Sequence, residues 1–96
     1  MFRYILTDEL AKKLGVLCKR DKILAQTFKR KLLEVINRDE RTINEYKNLK
    51  SPLNEYKRIH LTGNYILLFS VEQKNNLIVF VDIMHRDKVY KSTTLP

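Results

Sequence analysis

Two short stretches of the sequence place histidine close to arginine, a combination that suits chemistry on phosphate esters. Arg58 and His60 belong to the segment Lys-Arg-Ile-His at 57–60, and His85 and Arg86 follow a long apolar run. Histidine titrates near neutral pH and can act as base or acid, and the arginine guanidinium binds phosphate oxygens in pairs. These residue types suit metal-independent cleavage of RNA, in which the ribose 2′-hydroxyl attacks the neighbouring phosphorus.

Three further residues can assist this reaction. Tyr90 can stack on a base or hydrogen-bond the phosphate, and Lys57 and Lys91 lie close to the other candidates in sequence. Taken singly, each residue also has a purely structural interpretation: Arg58, for example, could pair with Glu55. The candidate set is Arg58, His60, Arg86 and Tyr90 for catalysis, with Lys57, His85 and Lys91 for RNA and phosphate binding.

The length of the chain indicates how many domains it forms, and its net charge indicates which partners it can attract. Nineteen Lys and Arg against eleven Asp and Glu give a net charge of +8 over 96 residues. This length suits one modest core, so we expect residues 1–96 to form a single domain. The positive field should attract polyanions, nucleic acid first, then an anionic membrane, then an acidic protein. The alternative is a basic domain whose charge has no specific role.

No stretch of the sequence points to a metal, a cofactor or a membrane span. Cys18 is the single cysteine, and no set of residues supplies four metal ligands. No apolar run approaches about 18 residues, and residues 1–7 are too short for a signal sequence. We therefore expect no metal and no cofactor, a cytoplasmic location, and Cys18 as core filler.

Hydrophobic periodicity predicts two helices after a short strand at 2–6. Thr7 is a suitable N-cap for a first helix, in which leucines recur at positions 10, 14 and 17. Asp21 caps a second helix over about 21–37, antiparallel to the first because the link is short. A loop with one helical turn is predicted to follow, up to Pro52.

After Leu53 the apolar period changes to two, which predicts three strands joined as a meander. The first runs from about Tyr56 to Leu61, the second over 65–71, and the third begins at Leu77. The predicted fold class is α+β in the order β-α-α-β-β-β. Two N-terminal antiparallel helices pack on one face of a mostly antiparallel four-stranded sheet.

The strand that begins at Leu77 is predicted to lie at the centre of the sheet with both faces covered, because its apolar run is nearly continuous. In the first meander strand, alternation turns Ile59 toward the core and Arg58 and His60 the other way. The face opposite the core and its rim should therefore collect the candidate residues, including His85. We expect residues 58, 60, 86 and 90 to converge in one cationic pocket.

The order of these residues resembles the RelE superfamily of toxins from prokaryotic toxin-antitoxin pairs. The resemblance rests on Tyr56-Lys57-Arg58-Ile59-His60-Leu61, on Asn64-Tyr65 with an apolar strand ending in Phe69, and on Ile83-x-His85-Arg86-x-x-Val89-Tyr90-Lys91. It spans nearly the whole chain, since the two N-terminal helices and the late hairpin also fall in the expected order. It implies a RelE-like fold.

The resemblance also implies an activity. Toxins of this kind are endoribonucleases that cut messenger RNA in the decoding site of the ribosome and are silenced by a small acidic antitoxin. The implied partners are the antitoxin, the ribosome and messenger RNA, with no membrane, and the toxin-antitoxin complex can bind operator DNA. At the matching positions, Arg58 and His60 correspond to basic residues proposed to contact phosphate and to act as the base. Arg86 corresponds to an arginine that contacts phosphate, and Tyr90 corresponds to a tyrosine that orients the substrate.

One position departs from the pattern, and two other functions stay open. Many active members carry Arg after the tyrosine of the second meander strand, where this chain has Ile66, so Lys57 or Lys91 would have to compensate. A second interpretation is a ParE-like inhibitor of DNA gyrase without a ribonuclease site. A third is a catalytically silent module that binds an acidic antitoxin.

Overall fold

The fold was analysed in a computed structural model, which describes residues 1–51 and 53–88. One four-stranded sheet in the order β1-β4-β3-β2 carries two helices on one of its faces. The prediction of the α+β fold, of the element order and of the mostly antiparallel sheet is confirmed. The elements are β1 (Arg3–Leu6), α1 (Asp8–Arg20), α2 (Lys22–Ile36), the 3₁₀ turn η1 (Thr42–Glu45), β2 (Lys57–His60), β3 (Tyr65–Glu72), the 3₁₀ turn η2 (Gln73–Asn75) and β4 (Leu77–His85).

Side-chain caps begin both helices where the sequence predicts them. The Thr7 hydroxyl accepts a hydrogen bond from the Leu10 amide at 3.2 Å and donates one to the Val81 carbonyl at 2.6 Å. The Asp21 carboxylate accepts from the Leu24 amide at 2.9 Å. Such caps satisfy amides that have no partner within the helix. Thr7 therefore both starts α1 and ties it to the central strand.

The order of the strands explains why β4 organises the sheet. It pairs with β1 in parallel and with β3 in antiparallel register, while β2 pairs only with β3. A bulge interrupts the β3–β4 ladder, because Leu68 pairs with Asp82 while Phe69 pairs with Phe80. A parallel strand needs a long crossover, and α1 and α2 supply it between β1 and the meander.

The main core lies between the helices and the sheet. Leu10 and Leu24 from the helices meet Phe69, Phe80 and Ile83 from the strands, all fully or almost fully buried. The other face, which we call the open face, has its own small apolar cluster. Ile66 and Leu68 pack there under Leu49, with Tyr56 half-buried at the side.

The prediction that β4 is covered on both faces is wrong. Ile78, Phe80 and Ile83 are buried in the main core, whereas Val79 and Met84 are only half-buried. No second layer of helices covers the open face among the described residues, so the β-branched run reflects the preference of these side chains for strands. None of the helices in this part of the chain is long and apolar enough to cross a membrane.

Candidate phosphate-binding site

Arg58 and His60 lie on the open face of the sheet. In the β2–β3 register Arg58 stands opposite Leu68 and His60 opposite Ile66, and both of these partners belong to the open-face cluster. Directly paired residues in a sheet point to the same side. The predicted orientation of the two basic residues, away from the helices, is therefore confirmed.

Arg86 comes to the same end of the sheet from β4. Its amide donates a 2.6 Å hydrogen bond to the carbonyl of Asn64, immediately before β3. His60 ends β2 at that end, because Ile66 pairs with both His60 and Met84. Neighbouring strands are about 4.8 Å apart, so two strand spacings separate β2 from β4, a span that long arginine side chains can bridge.

His85 lies elsewhere, and its predicted place on the open face is wrong. Its register partner is Tyr65, which packs against the main core on the helical side, and the two rings meet edge to face with centroids 6.0 Å apart. Met84 points to the open face, so strand alternation turns His85 to the other side. His85 is thus separated from Arg58 and His60 by the thickness of the sheet.

Lys57 also lies apart from this pair. It stands opposite Phe69 in the register, and its ammonium group donates hydrogen bonds to the Tyr46 carbonyl at 3.0 Å and to Asn48 Oδ1 at 2.8 Å. Desolvation lowers the pKa of Lys57 below its ordinary value. Its ammonium group fastens the preceding loop to β2.

Tyr90 and Lys91 lie outside the described residues. Arg58, His60 and Arg86 are the predicted catalytic residues for which the structure gives a position, and all three belong to one end of the meander. Arg58 is half-buried, while His60 and Arg86 are exposed.

Ile66 occupies the middle of this region. It lies between His60 and Met84 in the register and is completely buried beneath the loop that carries Leu49 and Leu53. An aliphatic residue here joins the open-face cluster. The residue opposite His60 in the register is therefore a buried apolar one.

A short pairing segment at the edge of β2 escaped the sequence analysis. Asn48 forms an isolated antiparallel bridge with Lys57, the Leu49 amide donates to the Tyr56 carbonyl at 2.9 Å, and the Arg58 amide donates to the Lys47 carbonyl at 3.2 Å. The only sequence signal was Leu49, an apolar residue in a polar stretch. This segment covers the outer edge of the strand that bears Arg58 and His60.

Comparison with known proteins gives relatives that match nearly the full length of the chain. The chain is 35% identical over 95 residues to the Methanocaldococcus jannaschii protein named "Putative toxin RelE4", covering 99% of this chain and 97% of the relative. No family model matches the sequence.

Several solved structures share the fold, two proteins from Escherichia coli among them. The crystal structure of YafQ from Escherichia coli superposes with a TM-score of 0.71 at 14% identity, covering 94% of this chain and 99% of that one. The isolated E. coli RelE toxin gives a TM-score of 0.68 at 19% identity, covering 96% of this chain and 94% of that one. At these identities the likeness concerns the fold alone.

Proposed function

Because this chain belongs to the RelE toxin family, we propose that it is the toxin of a toxin-antitoxin pair and cuts messenger RNA on the ribosome, which inhibits translation. The observation that supports the proposal is that Arg58 and His60 share the open face of β2, while the backbone of Arg86 lies at the end of the sheet where His60 ends that strand. One histidine and two arginines are residue types that suit phosphodiester cleavage, which needs proton transfer and stabilisation of added negative charge.

In the proposed reaction the 2′-hydroxyl of the ribose loses its proton to His60 and its oxygen bonds to the adjacent phosphorus. The bond from phosphorus to the 5′ oxygen then breaks and this oxygen takes a proton from solvent water, which leaves a cyclic phosphate and a 5′-hydroxyl. Arg58 and Arg86 neutralise the charge that builds up on the phosphate oxygens. His60 is the one histidine on the open face in the described part of the chain, which makes it our candidate for proton transfer.

The proposal includes the two predicted site residues that lie outside the described part of the chain. Tyr90 orients or stacks on the substrate, and Lys91 contacts phosphate. We do not assign Lys57 and His85 as phosphate ligands of this site, because Lys57 is bonded to the 46–48 segment and His85 faces the helices. The buried Ile66 supplies no charge, so Arg58 and Arg86 must carry the stabilisation.

The proposed partners are an acidic antitoxin, the ribosome with its messenger RNA, and operator DNA for the toxin-antitoxin complex. The net charge of +8 favours all three, because each is anionic. We propose that the protein works in the cytoplasm and without a metal ion.

The direct test is cleavage of a defined messenger RNA on purified ribosomes. We expect Arg58→Gln and His60→Gln to lower the rate by about 100-fold or more. Lys74→Gln, a change at the opposite end of the sheet, should leave the rate unchanged. Uncut RNA with the wild-type protein, or equal rates for all variants, would refute the ribonuclease. Inhibition of gyrase by the same preparation would support the ParE-like function instead.

A further inference from the structure

Tyr56 lies on the open face of the sheet, in line with Arg58 and His60. It directly precedes β2, and its side chain packs against the open-face cluster to which Ile66 and Leu68 belong. These two residues stand opposite His60 and Arg58 in the β2–β3 register. Residues two apart in an extended strand point to the same side, with Cα atoms about 6.6 Å apart. Tyr56, Arg58 and His60 therefore form a row along the open face of β2.

The Tyr56 ring is held in place and only half-buried, so part of its surface faces solvent. Its amide donates a hydrogen bond to the Leu53 carbonyl at 3.0 Å, and its carbonyl accepts one from the Leu49 amide at 2.9 Å. A hydrogen bond with the Glu55 carboxylate raises the pKa of Tyr56 above its ordinary value of 10, which keeps the phenol neutral. A ring fixed in this way loses little conformational entropy when a ligand stacks on it.

Positive charge accompanies this row. Lys47 and Lys50 belong to the loop that pairs with β2, and both side chains are exposed. Neither forms an ion pair within the described residues. Over residues 46–60, four Lys and Arg against one Glu give a net charge of +3. Proteins that bind single-stranded nucleic acid combine such charge along the backbone with aromatic rings that stack on bases.

We propose that the RNA strand continues from the cleavage site along β2 and stacks one of its nucleobases on the Tyr56 ring. This placement rests on the proposed function, which puts the phosphate at Arg58 and His60. Every nucleobase has a flat face, so Tyr56 contributes affinity and position for the strand rather than a choice of sequence. Tyr56 is thus a binding residue for the substrate, next to the residues that act on the phosphate.

The test measures the binding of a fluorescent 12-nucleotide single-stranded RNA to the full chain by anisotropy, at one fixed low salt concentration. We expect Tyr56→Leu, which keeps an apolar side chain on the cluster but removes the ring, to bind at least about fivefold more weakly. Tyr56→Phe keeps the ring and should restore most of the binding. Tyr4→Leu is the matched control, because Tyr4 is 45% exposed and contacts Phe80 on the helical side.

A second probe separates stacking from damage to the fold. It is a strand of the same length that has the ribose-phosphate backbone but no bases. The wild type and Tyr56→Leu should bind this abasic strand equally, because it offers the ring nothing to stack on. A purely structural role of Tyr56 would instead weaken the binding of both strands by the same factor, and urea unfolding of each variant measures that role directly.

Four outcomes would overturn the proposal. They are no binding of RNA by the wild type, equal binding of ordinary RNA by the wild type and Tyr56→Leu, the same loss on both strands, and a loss in Tyr56→Phe as large as in Tyr56→Leu. Ring-dependent RNA binding without cleavage on ribosomes would refute only the ribonuclease. Cleavage together with unchanged RNA binding by Tyr56→Leu would refute only the stacking.

Discussion

Lys57 and Arg58 are neighbours in the sequence and lie on opposite faces of β2. The Lys57 ammonium group holds the 46–48 segment, while Arg58 stands over the open-face cluster beside Leu68. Two adjacent cations therefore have different physical roles, one in the stability of the fold and one at the candidate site. Strand alternation alone produces this separation.

A first prediction separates these roles by substitution. We expect Lys57→Met to lower the free energy of unfolding by about 1 kcal/mol, because two hydrogen bonds are lost while the aliphatic stem remains. Urea unfolding measures this, with Lys50→Met, an exposed change nearby, as the matched control. A Lys57→Met protein that is fully stable and inactive on RNA would show that the lysine belongs to the reaction.

A second prediction concerns Ile66, the position at which the resemblance to RelE toxins led us to expect arginine. We expect Ile66→Arg to destabilise the protein by about 3 kcal/mol or more, because the guanidinium would replace a completely buried aliphatic side chain. Ile66→Met should cost less than about 1.5 kcal/mol, since it nearly conserves volume. Thermal unfolding compares the two. A stable Ile66→Arg protein with faster RNA cleavage would mean that the loop that carries Leu49 opens readily.

A third prediction uses the contact between α2 and the turn η1. Tyr46 donates its hydroxyl proton to the Glu34 carboxylate, and the Arg38 guanidinium lies 5.0 Å from the centroid of the Tyr46 ring. The hydrogen bond from Tyr46 is the main cause that lowers the pKa of Glu34 below 4.5. A carboxyl group whose pKa is lower in the folded than in the unfolded state stabilises the fold at pH values above its unfolded pKa. This stabilisation is lost as the pH falls through the folded pKa.

The stability advantage of the wild type over Glu34→Gln should therefore be complete above about pH 5 and shrink below the unfolded value of 4.5. Chemical unfolding at a series of pH values measures it. Tyr46→Phe should cost about 1 kcal/mol near neutral pH. Tyr4→Phe is the control, because the Tyr4 hydroxyl forms no hydrogen bond among residues 1–51 and 53–88. A pH-independent difference for Glu34→Gln would contradict this account.

A fourth prediction contrasts the two glycines. Gly63, in the β2–β3 turn, has φ +63°, a left-handed conformation that costs other residues about 1–2 kcal/mol. Gly15 lies within α1, and an added Cβ would meet nothing within 4 Å. We expect Gly63→Ala to destabilise the protein by about that amount and Gly15→Ala to stabilise it by about 0.5–1 kcal/mol. If both substitutions shift the thermal unfolding temperature in the same direction, the backbone conformation of the glycine does not decide its effect on stability.

Local patterns in the sequence were sufficient to predict the secondary-structure elements and the fold class. Thr7 and Asp21 cap the helices as predicted, and the change of apolar period after Leu53 marks the meander. Caps and periodicity depend on residues within one or two turns of each other, so they can be recognised without tertiary structure. The orientation of Arg58 and His60 followed from the same alternation.

The sequence by itself determined the order of the elements, the sign of the surface charge and the outward direction of Arg58 and His60. Only the tertiary structure decided that His85 faces the helices, that Lys57 binds the 46–48 segment and that Leu49 packs over Ile66 on the open face. These features depend on which residue pairs with which across strands, and the bulge at Leu68–Phe69 belongs to that same register. Register arises from long-range pairing and packing, which no local pattern encodes.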